Sequence, residues 1–316
     1  MKLLIIDWDD TICPSSMLEV YSRTSPPTTN INQTPPSVQA QFNLLAESAT
    51  RLLQKASTFG PVIIITNSEK GWVRYSAQRW LPSLVDFLDP ESNNLRIVSA
   101  RTLYERSHPG QPLCWKSAAF ARECNTLFSS NSENSNINTI AVDSDTSSDT
   151  SSDSFSSSSD PNSPPDPPPP PSQNKHHIIS IGDSYEERSA CKIVSKQLNS
   201  IPKTIKFLPS PAPIQILGQL ELVHKYLDEV MNSQFSLDIN ITEDQARLSV
   251  DSFFAQKDRM NQQHINNDVQ SPERVRSPLT TITSGDNHNK ENGDCMNVVT
   301  PDKLANNSFQ VHHVVN

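Results

Sequence analysis

Glycine is scarce in this sequence, with 7 residues among 316, whereas proline is abundant, with 25. Only 34% of the residues are hydrophobic, and Ser, Asn, Asp and Thr are concentrated in particular stretches. Stretches of this composition cannot bury enough apolar surface to offset the entropy lost on ordering them. We therefore expect one folded domain accompanied by long disordered segments.

An excess of positive charge is also lacking, because the formal net charge is -9 at pH 7. Binding to nucleic acid or to an anionic membrane needs a basic surface, and none is recognisable in the sequence. We expect neither nucleic acid nor a membrane as a partner.

The five cysteines are odd in number and form no C-x-x-C pair, which argues against a disulfide framework and against a zinc site. No stretch approaches the roughly 18 apolar residues of a membrane helix, and the four apolar residues before Asp7 are too few for a signal peptide. These absences predict a soluble cytoplasmic protein, with the nucleus as the alternative.

Five short apolar runs have the length and the Ile/Val content of buried strands. They are residues 2–7, 61–67, 95–100, 177–183 and 204–209. Helix-like segments alternate with them, at 38–59, 71–88, 115–127, 185–198 and 214–231. This alternation predicts an α/β fold, a Rossmann-like three-layer sandwich with a parallel, mainly five-stranded sheet.

Two regions interrupt the alternation. Residues 129–175 are rich in Ser, Asp and Pro and are predicted to be a disordered insertion, and residues 236–316 are predicted to be a mostly disordered tail with at most one short helix. The predicted core therefore comprises residues 1–128 and 176–235. Ser/Thr-Pro pairs at Ser163, Ser271, Ser277 and Thr300 resemble kinase targets, so kinases are further candidate partners.

Polar residues follow the predicted strands at their carboxyl ends, which is where parallel α/β sheets bind ligands. Asp7 and Asp9 follow the first strand, Thr66 and Asn67 end the second, and Asp183 ends the fourth. In a phosphoryl-transfer site, one carboxylate could attack phosphorus and the other could exchange protons. Asp183 would add a third acid for Mg²⁺, and Thr66 and Asn67 would donate to phosphoryl oxygens.

Lys116, in a predicted helix, offers a positive charge that would make these acids tolerable together. Taken singly, each residue has an ordinary explanation. The acids could cap a turn, the lysine could be a solvated helix residue, and Thr66 with Asn67 could form a simple strand end.

Four segments, "IIDWDDT" (5–11), "IIITNS" (63–68), "WKSAAF" (115–120) and "IISIGDSYEERSA" (178–190), resemble in order and context the four motifs of the haloacid dehalogenase-like (HAD) phosphohydrolases. The resemblance implies that Asp7 is the nucleophile, that Asp9 is the general acid and base, and that Thr66 and Lys116 contact the phosphoryl group. Mg²⁺ would be held by Asp7, the Asp9 backbone carbonyl and Asp183.

The acidic residue after "GDS" is Glu187, where family members often have Asp. The resemblance therefore implies a second shell role for Glu187, behind the metal ligands. Asp10 lies outside the motif's catalytic positions, so a turn or capping role is expected for it.

The two chain positions where HAD enzymes carry a cap, residues 12–36 and 101–113, are too short or too simple in pattern for a domain. The resemblance is thus to the capless, magnesium-dependent phosphatase-like branch. It implies a macromolecular phosphomonoester, such as a phosphoprotein, as substrate, with small phosphomonoesters as the alternative. Two other functions stay open: a HAD-like module that binds phosphorylated ligands or scaffolds partners without turnover, and a phosphotransferase.

Overall fold

The computed structural model of the protein describes residues 1–24, 30–89, 95–136, 175–269 and 312–313. The chain divides into two compact units, the first comprising Met1–Val250 with His312–Asn316 and the second comprising Asp251–Val311. In the second unit, the described residues, 251–269, are helical throughout.

The described strands are β1 (Lys2–Ile6), β2 (Val62–Thr66), β3 (Leu95–Ser99), β4 (His177–Gly182), β5 (Ile201–Lys206), β6 (Leu237–Asn240) and β7 (His312–His313). They form one sheet in the order β3-β2-β1-β4-β5-β6-β7. The pairs from β3 to β6 are all parallel, and only the two-residue strand β7 runs antiparallel to its neighbour β6.

The described helices are α1 (Ser15–Thr24), α2 (Pro36–Ser57), α3 (Trp72–Trp80), α4 (Ala100–Tyr104), α5 (Pro112–Asn136), α6 (Tyr185–Gln197), α7 (Pro213–Asn232) and α8 (Glu243–Val269). Short 3-10 turns occupy Ile31–Gln33 and Pro82–Leu84. Helix α3 is shorter than the predicted 71–88, because Pro82 disfavours a helical conformation at the preceding residue.

Apolar side chains of the central strands fill both faces of the sheet. Leu3 and Ile5 of β1 and Ile63 and Ile65 of β2 are buried in one cluster together with side chains of α5 and α6. Successive side chains of a strand point to opposite faces, so the intervening residues face the other layer, where α2 packs against α7. The predicted α/β, Rossmann-like three-layer class is confirmed, with six parallel strands rather than five.

The sixth parallel strand, β6, lies inside the segment that was assigned to the tail. Its sequence alternates, with Leu237 and Ile239 buried and Asp238 and Asn240 less so. This short alternating pattern differs from the continuous apolar runs of the central strands, which is why the sequence does not reveal it.

The boundary of the tail at residue 236 is therefore wrong for the first 34 residues, which form β6 and the long helix α8. The predicted boundary at residue 128 is also early, because helix α5 continues to Asn136. Apart from Lys175 and the two residues of β7, the rest of the predicted disordered segments, with the four Ser/Thr-Pro pairs, lies outside the described residues.

Strand β5 begins at Ile201, three residues before the predicted start. The sequence "IPK" does not look like a buried strand, yet Lys203 is fully buried. Its ammonium group donates to the carbonyl oxygens of Val230 (2.6 Å) and Met231 (3.1 Å) in the last turn of α7. Burial, followed by the charge of Lys2, lowers the pKa of Lys203 to about 8.

The two candidate cap positions contain helices and turns. Between β1 and α2 the described residues form α1 and one 3-10 turn, and between β3 and α5 they form the five-residue helix α4. Within the described chain neither position contributes a strand. Among the described residues, each helix is too short or too polar to cross a membrane.

Helix α8 packs closely on α7 where its first turns pass Gly218. A Cβ atom added at Gly218 would lie 2.2 Å from the carbonyl oxygen of Ala246. An alanine normally stabilises a helix by about 1 kcal/mol relative to glycine, but overpacking of a tight contact costs about 1–3 kcal/mol.

We therefore expect Gly218→Ala to destabilise the protein in thermal or urea unfolding, against the usual trend for this substitution. The exposed Lys225→Ala change in the same helix is the control and should have little effect. A stabilised Gly218→Ala protein would show that α8 does not pack here.

Candidate functional site

The centre of the candidate site is a buried ammonium group, that of Lys116 in the second turn of α5. Its Nζ lies 2.7 Å from Asp7 Oδ1 at the end of β1 and 2.8 Å from Glu187 Oε1 in α6. It also donates to the carbonyl oxygen of Ile65 in β2 at 2.6 Å. One side chain thus joins two strands and two helices at the carboxyl edge of the sheet.

These three contacts use all three hydrogens of the Lys116 ammonium group. Burial disfavours the charged form, but the charges of Asp7 and Glu187 prevail and raise the pKa of Lys116 above its ordinary value. Lys116 therefore stays protonated. Its predicted contact with a phosphoryl oxygen stays a prediction and would require the exchange of one of the three partners.

Glu187 is held by the start of helix α6. Ser184 is the N-cap of this helix, and its backbone N–H donates to Glu187 Oε2 at 3.2 Å. The Ser184 hydroxyl also donates to Glu187 Oε2. A Cβ atom at Gly182 would lie 2.6 Å from Glu187 Cγ, so glycine is needed there for Glu187 to fold back over the strand end.

Glu187 is nearly fully buried, at 3% exposure, and both of its oxygens have partners. Burial opposes ionisation, but the charge and hydrogen bond of Lys116, together with the hydrogen bond from Ser184, hold the pKa of Glu187 below its ordinary value. These contacts hold Glu187 against Lys116, and its second shell role stays a prediction.

Asp183 completes a group of three acids with Asp7 and Glu187, each of which offers one carboxylate oxygen within 4.8 Å of those of the other two. Burial, then the charges of Glu187 and Asp10, raise the pKa of Asp183 to about 7. Burial also raises the pKa of Asp7, and Glu187 and Asp9 add to this effect against the opposing charge of Lys116. Three carboxyl side chains lie near one ammonium group. A cation bound among them would offset the excess of negative charge.

The donor set fits a hard divalent ion, because it consists of carboxylate oxygens at the right separation. Asp7 and Asp183 are the residues best able to hold it, since the oxygens of Glu187 are already engaged. The geometry alone does not distinguish Mg²⁺ from other oxygen-binding cations.

The Asp9 carboxylate lies in a cradle of four donors from three parts of the chain. Its Oδ1 accepts from Ser15 Oγ at 2.5 Å and from Trp72 Nε1 at 2.7 Å. Its Oδ2 accepts from Thr66 Oγ1 at 2.9 Å and from Ser68 Oγ at 2.7 Å.

A tight turn after β1 presents Asp9 to these donors. The carbonyl oxygen of Trp8 accepts from the backbone N–H groups of Ile12 and Cys13, each at 2.9 Å. The indole of Trp8 is fully buried and donates to Ser76 Oγ at 2.8 Å, which anchors the turn to α3.

Asp10 has the turn and capping role that was expected for it. Its backbone is left-handed, with φ of 53°, a conformation that Asp tolerates better than most residues. Its carboxylate accepts from the backbone N–H of Ser16 at 2.9 Å, in the first turn of α1.

Thr66 and Asn67 lie at the end of β2 as predicted, but Thr66 Oγ1 and Asn67 Nδ2 already have protein partners. Thr66 Oγ1 donates to Asp9 and accepts from the backbone N–H of Ser68 at 2.9 Å. Asn67 Nδ2 donates to the carbonyl oxygen of Pro112 at 3.4 Å, and Asn67 Oδ1 is buried without a hydrogen-bond partner. Their roles in phosphate binding stay predictions.

Sequence reasoning missed three members of the Asp9 cradle, Ser15, Ser68 and Trp72. Ser68 is the last residue of the second motif segment and could have been considered with Thr66. No sequence pattern marks the indole N–H of Trp72 as a donor to a residue 63 positions away.

The fold and the site define a Rossmann-like α/β protein with a lysine–carboxylate cluster at the carboxyl edge of its sheet. In comparisons with known proteins, no family model, no curated protein and no solved structure matches the chain. The resemblance to HAD phosphohydrolases therefore rests on the four motifs.

The raised pKa of Asp183 predicts a pH-dependent stability in the absence of divalent ions. The folded-state pKa of about 7 exceeds the ordinary 3.8, so the stabilisation is complete below about pH 4 and is lost as pH rises through 7. Asp183→Asn should remove this dependence and raise stability at pH 8 by on the order of 2 kcal/mol.

Thermal unfolding in the presence of a chelator at pH 5 and pH 8 measures this effect. Asp86→Asn, the same change at an exposed acid outside the cluster, is the control. An Asp183→Asn protein that keeps the wild-type pH dependence would contradict the assigned cause.

Proposed function

We propose that the protein is a Mg²⁺-dependent phosphatase that acts through an aspartyl-phosphate intermediate, that is, a HAD-like phosphoric monoester hydrolase. The observation that supports this most directly is the grouping of Asp7, Asp183 and Glu187 at the carboxyl edge of the sheet, where Asp7 and Glu187 also pair with Lys116. A structural salt bridge needs one carboxylate for each ammonium group, whereas this cluster has three.

In the proposed reaction, an Asp7 carboxylate oxygen attacks phosphorus and the bond from phosphorus to the leaving oxygen breaks. Asp9 gives its proton to the leaving oxygen, then takes a proton from water as that water attacks phosphorus and releases Asp7. Bound Mg²⁺ would supply positive charge at the phosphoryl oxygens, held by Asp7, Asp183 and the Asp9 backbone carbonyl.

A macromolecular phosphomonoester such as a phosphoprotein is the proposed substrate class. The support is that the described residues of both cap positions form only helices and turns, so a large substrate has access to the strand ends. A small phosphomonoester is the alternative.

A non-catalytic module that binds phosphorylated ligands is the second candidate function, and the Asp9 cradle favours it. The Asp9 carboxylate accepts four hydrogen bonds, and it must give up some of these contacts before it can reach a leaving group. A phosphotransferase, which passes the phosphoryl group to an acceptor other than water, is the third.

Hydrolysis of an aryl phosphate and of phosphopeptides, with Mg²⁺ and with a chelator, tests the proposal. Asp7→Asn should abolish turnover because an amide cannot form the phospho-enzyme. Asp9→Asn should lower the rate by about 10²–10⁴, the usual contribution of general acid–base catalysis.

Asp10→Asn is the matched control, because it makes the same change in the same turn and keeps both the left-handed preference and an acceptor for Ser16. Undiminished hydrolysis by Asp7→Asn would refute the mechanism. Formation of a phospho-enzyme that releases phosphate only to an added alcohol would instead establish the phosphotransferase.

Trp72 positions Asp9 through its indole N–H, so Trp72→Phe should impair proton transfer. We expect kcat for an alkyl phosphate, whose leaving oxygen needs a proton, to fall about tenfold, the equivalent of one hydrogen bond to a charged group. For p-nitrophenyl phosphate, whose leaving group needs no proton, kcat should change much less.

Trp80→Phe provides the control for this experiment. Trp80 ends the same helix and packs against Phe42, away from Asp9. Equal losses on both substrates in Trp72→Phe would mean that the indole serves only packing.

A further inference from the structure

A cleft runs along the free edge of the sheet at β3, which is the terminal strand on that side among the described residues. It consists of two adjoining parts, of about 230 and 220 Å³, that share Lys70, Ile97 and Ser99. We call it the β3-edge cleft. Four consecutive residues, 96–99, line its second part, so the backbone of the edge strand forms one of its walls.

Among the charged residues that line the β3-edge cleft, basic residues outnumber acidic ones. Lys70, Arg74, Arg96 and Arg122 line it, against two acids, Glu69 and Glu123. Arg96 pairs with the buried Glu123 at 2.9 Å, and Arg74 lies 3.5 Å from Asp89 outside the cleft.

Lys70 and Arg122 have no ion-pair partner in the part of the chain that the structure describes. Both are exposed. They come from different elements, the loop before α3 and the outer face of α5, so they meet at the cleft through the fold rather than as a run in sequence. Two uncompensated cations at one cleft contrast with the net charge of -9 of the whole chain.

The first part of the cleft reaches the candidate site through Thr66, whose hydroxyl donates to Asp9. Two hydrogen bonds fix the wall between them. Ser99 Oγ donates to the carbonyl oxygen of Ser68 at 2.6 Å, and the backbone N–H of Lys70 donates to Thr102 Oγ1 at 2.9 Å. A ligand that extends from the strand ends into the cleft would therefore meet a largely preformed surface.

We propose that the β3-edge cleft binds the acidic residues that neighbour a phosphorylated residue in an extended peptide. Edge strands bind extended peptides through free backbone groups, while flanking side chains select the sequence. Here the flanking side chains are cations, so acidic residues are selected. The proposal deepens the proposed phosphatase function and rests on it for the placement of the phosphoryl group.

Nucleic acid is less compatible with this surface than an acidic peptide. An extended phosphate backbone needs a long basic track, and the acidic remainder of the chain repels a polyanion beyond the cleft. A short peptide with a few acidic residues needs only the cations at the cleft.

Peptide binding to the full-length protein, measured by fluorescence anisotropy without Mg²⁺, tests this proposal apart from turnover. The probe is a labelled ten-residue peptide with a central phosphoserine and four aspartates on one side, and the reference peptide carries asparagines in their place. We expect the acidic peptide to bind about tenfold more tightly, with an advantage that shrinks as salt is added.

The double variant Lys70→Glu/Arg122→Glu should abolish the preference for the acidic peptide. Lys196→Glu/Lys225→Glu is the matched control, because it makes the same change of net charge at exposed lysines of α6 and α7, away from the cleft. Lys70→Gln/Arg122→Gln, a milder change, provides the same measurement should the charge reversal impair folding.

If the cleft and control variants lose affinity for the acidic peptide equally, binding depends on net charge and the proposal is overturned. Equal affinity of the wild-type protein for the two peptides would also overturn it. Equal competition by a short single-stranded oligonucleotide of the same charge would overturn the choice of a peptide. Acidic-peptide binding that depends on the cleft, without hydrolysis by any form of the protein, would support the cleft and refute the phosphatase.

Discussion

The burial of one ammonium group is the constraint on which the rest of the site depends. Lys116 is fully buried and has three acceptors, from β1, β2 and α6. The removal of one partner from a buried ion pair typically costs about 3–5 kcal/mol, because the other charge is left uncompensated. The contacts of the Lys116 ammonium group thus fix the positions of the strand ends and of α6 relative to one another. The acids that pair with Lys116 are therefore in place before any ligand binds.

The two aspartates of the first motif are held in opposite ways. Asp7 lies where burial and neighbouring acids disfavour its charge, and a cation would relieve this. Asp9 lies among four hydrogen-bond donors from three parts of the chain. A ligand that engages the Asp9 carboxylate must therefore replace some of these hydrogen bonds.

The central part of the fold could be predicted from the sequence because its signals are local. Four of the five predicted strands agree with the structure to within one residue at each end, since continuous Ile-rich runs have few alternatives in a soluble domain. Asp7 and Asp183 could be grouped because parallel strands bring their carboxyl ends to one edge. Glu187, which lies in a helix, could be added only through the resemblance of its segment to the fourth motif.

The elements that sequence analysis missed depend on partners far along the chain. Lys203 is acceptable inside β5 only because the last turn of α7 offers it two carbonyl oxygens. Strand β6 is too short and too polar to stand out, but Asp238 joins it to α6 through Arg188 and through Lys192 at 2.6 Å. Trp72 likewise becomes a polar contact only when α3 lies beside Asp9.

The pairing of β1 with β4 has a consequence for how the chain folds. In these neighbouring central strands, Lys2 pairs with His177 and Ile6 pairs with Ile181. The paired residues are therefore separated in sequence by most of the residues of the core. Contacts between distant residues form slowly, because the intervening chain must be closed into a loop first. The entropy of closure grows only logarithmically with loop length, about 0.6 kcal/mol for each doubling, so the segment between α5 and β4 can vary in length at small cost. Asp7 and Asp183 come from these two strands, so the acids meet only when this slow pairing is complete.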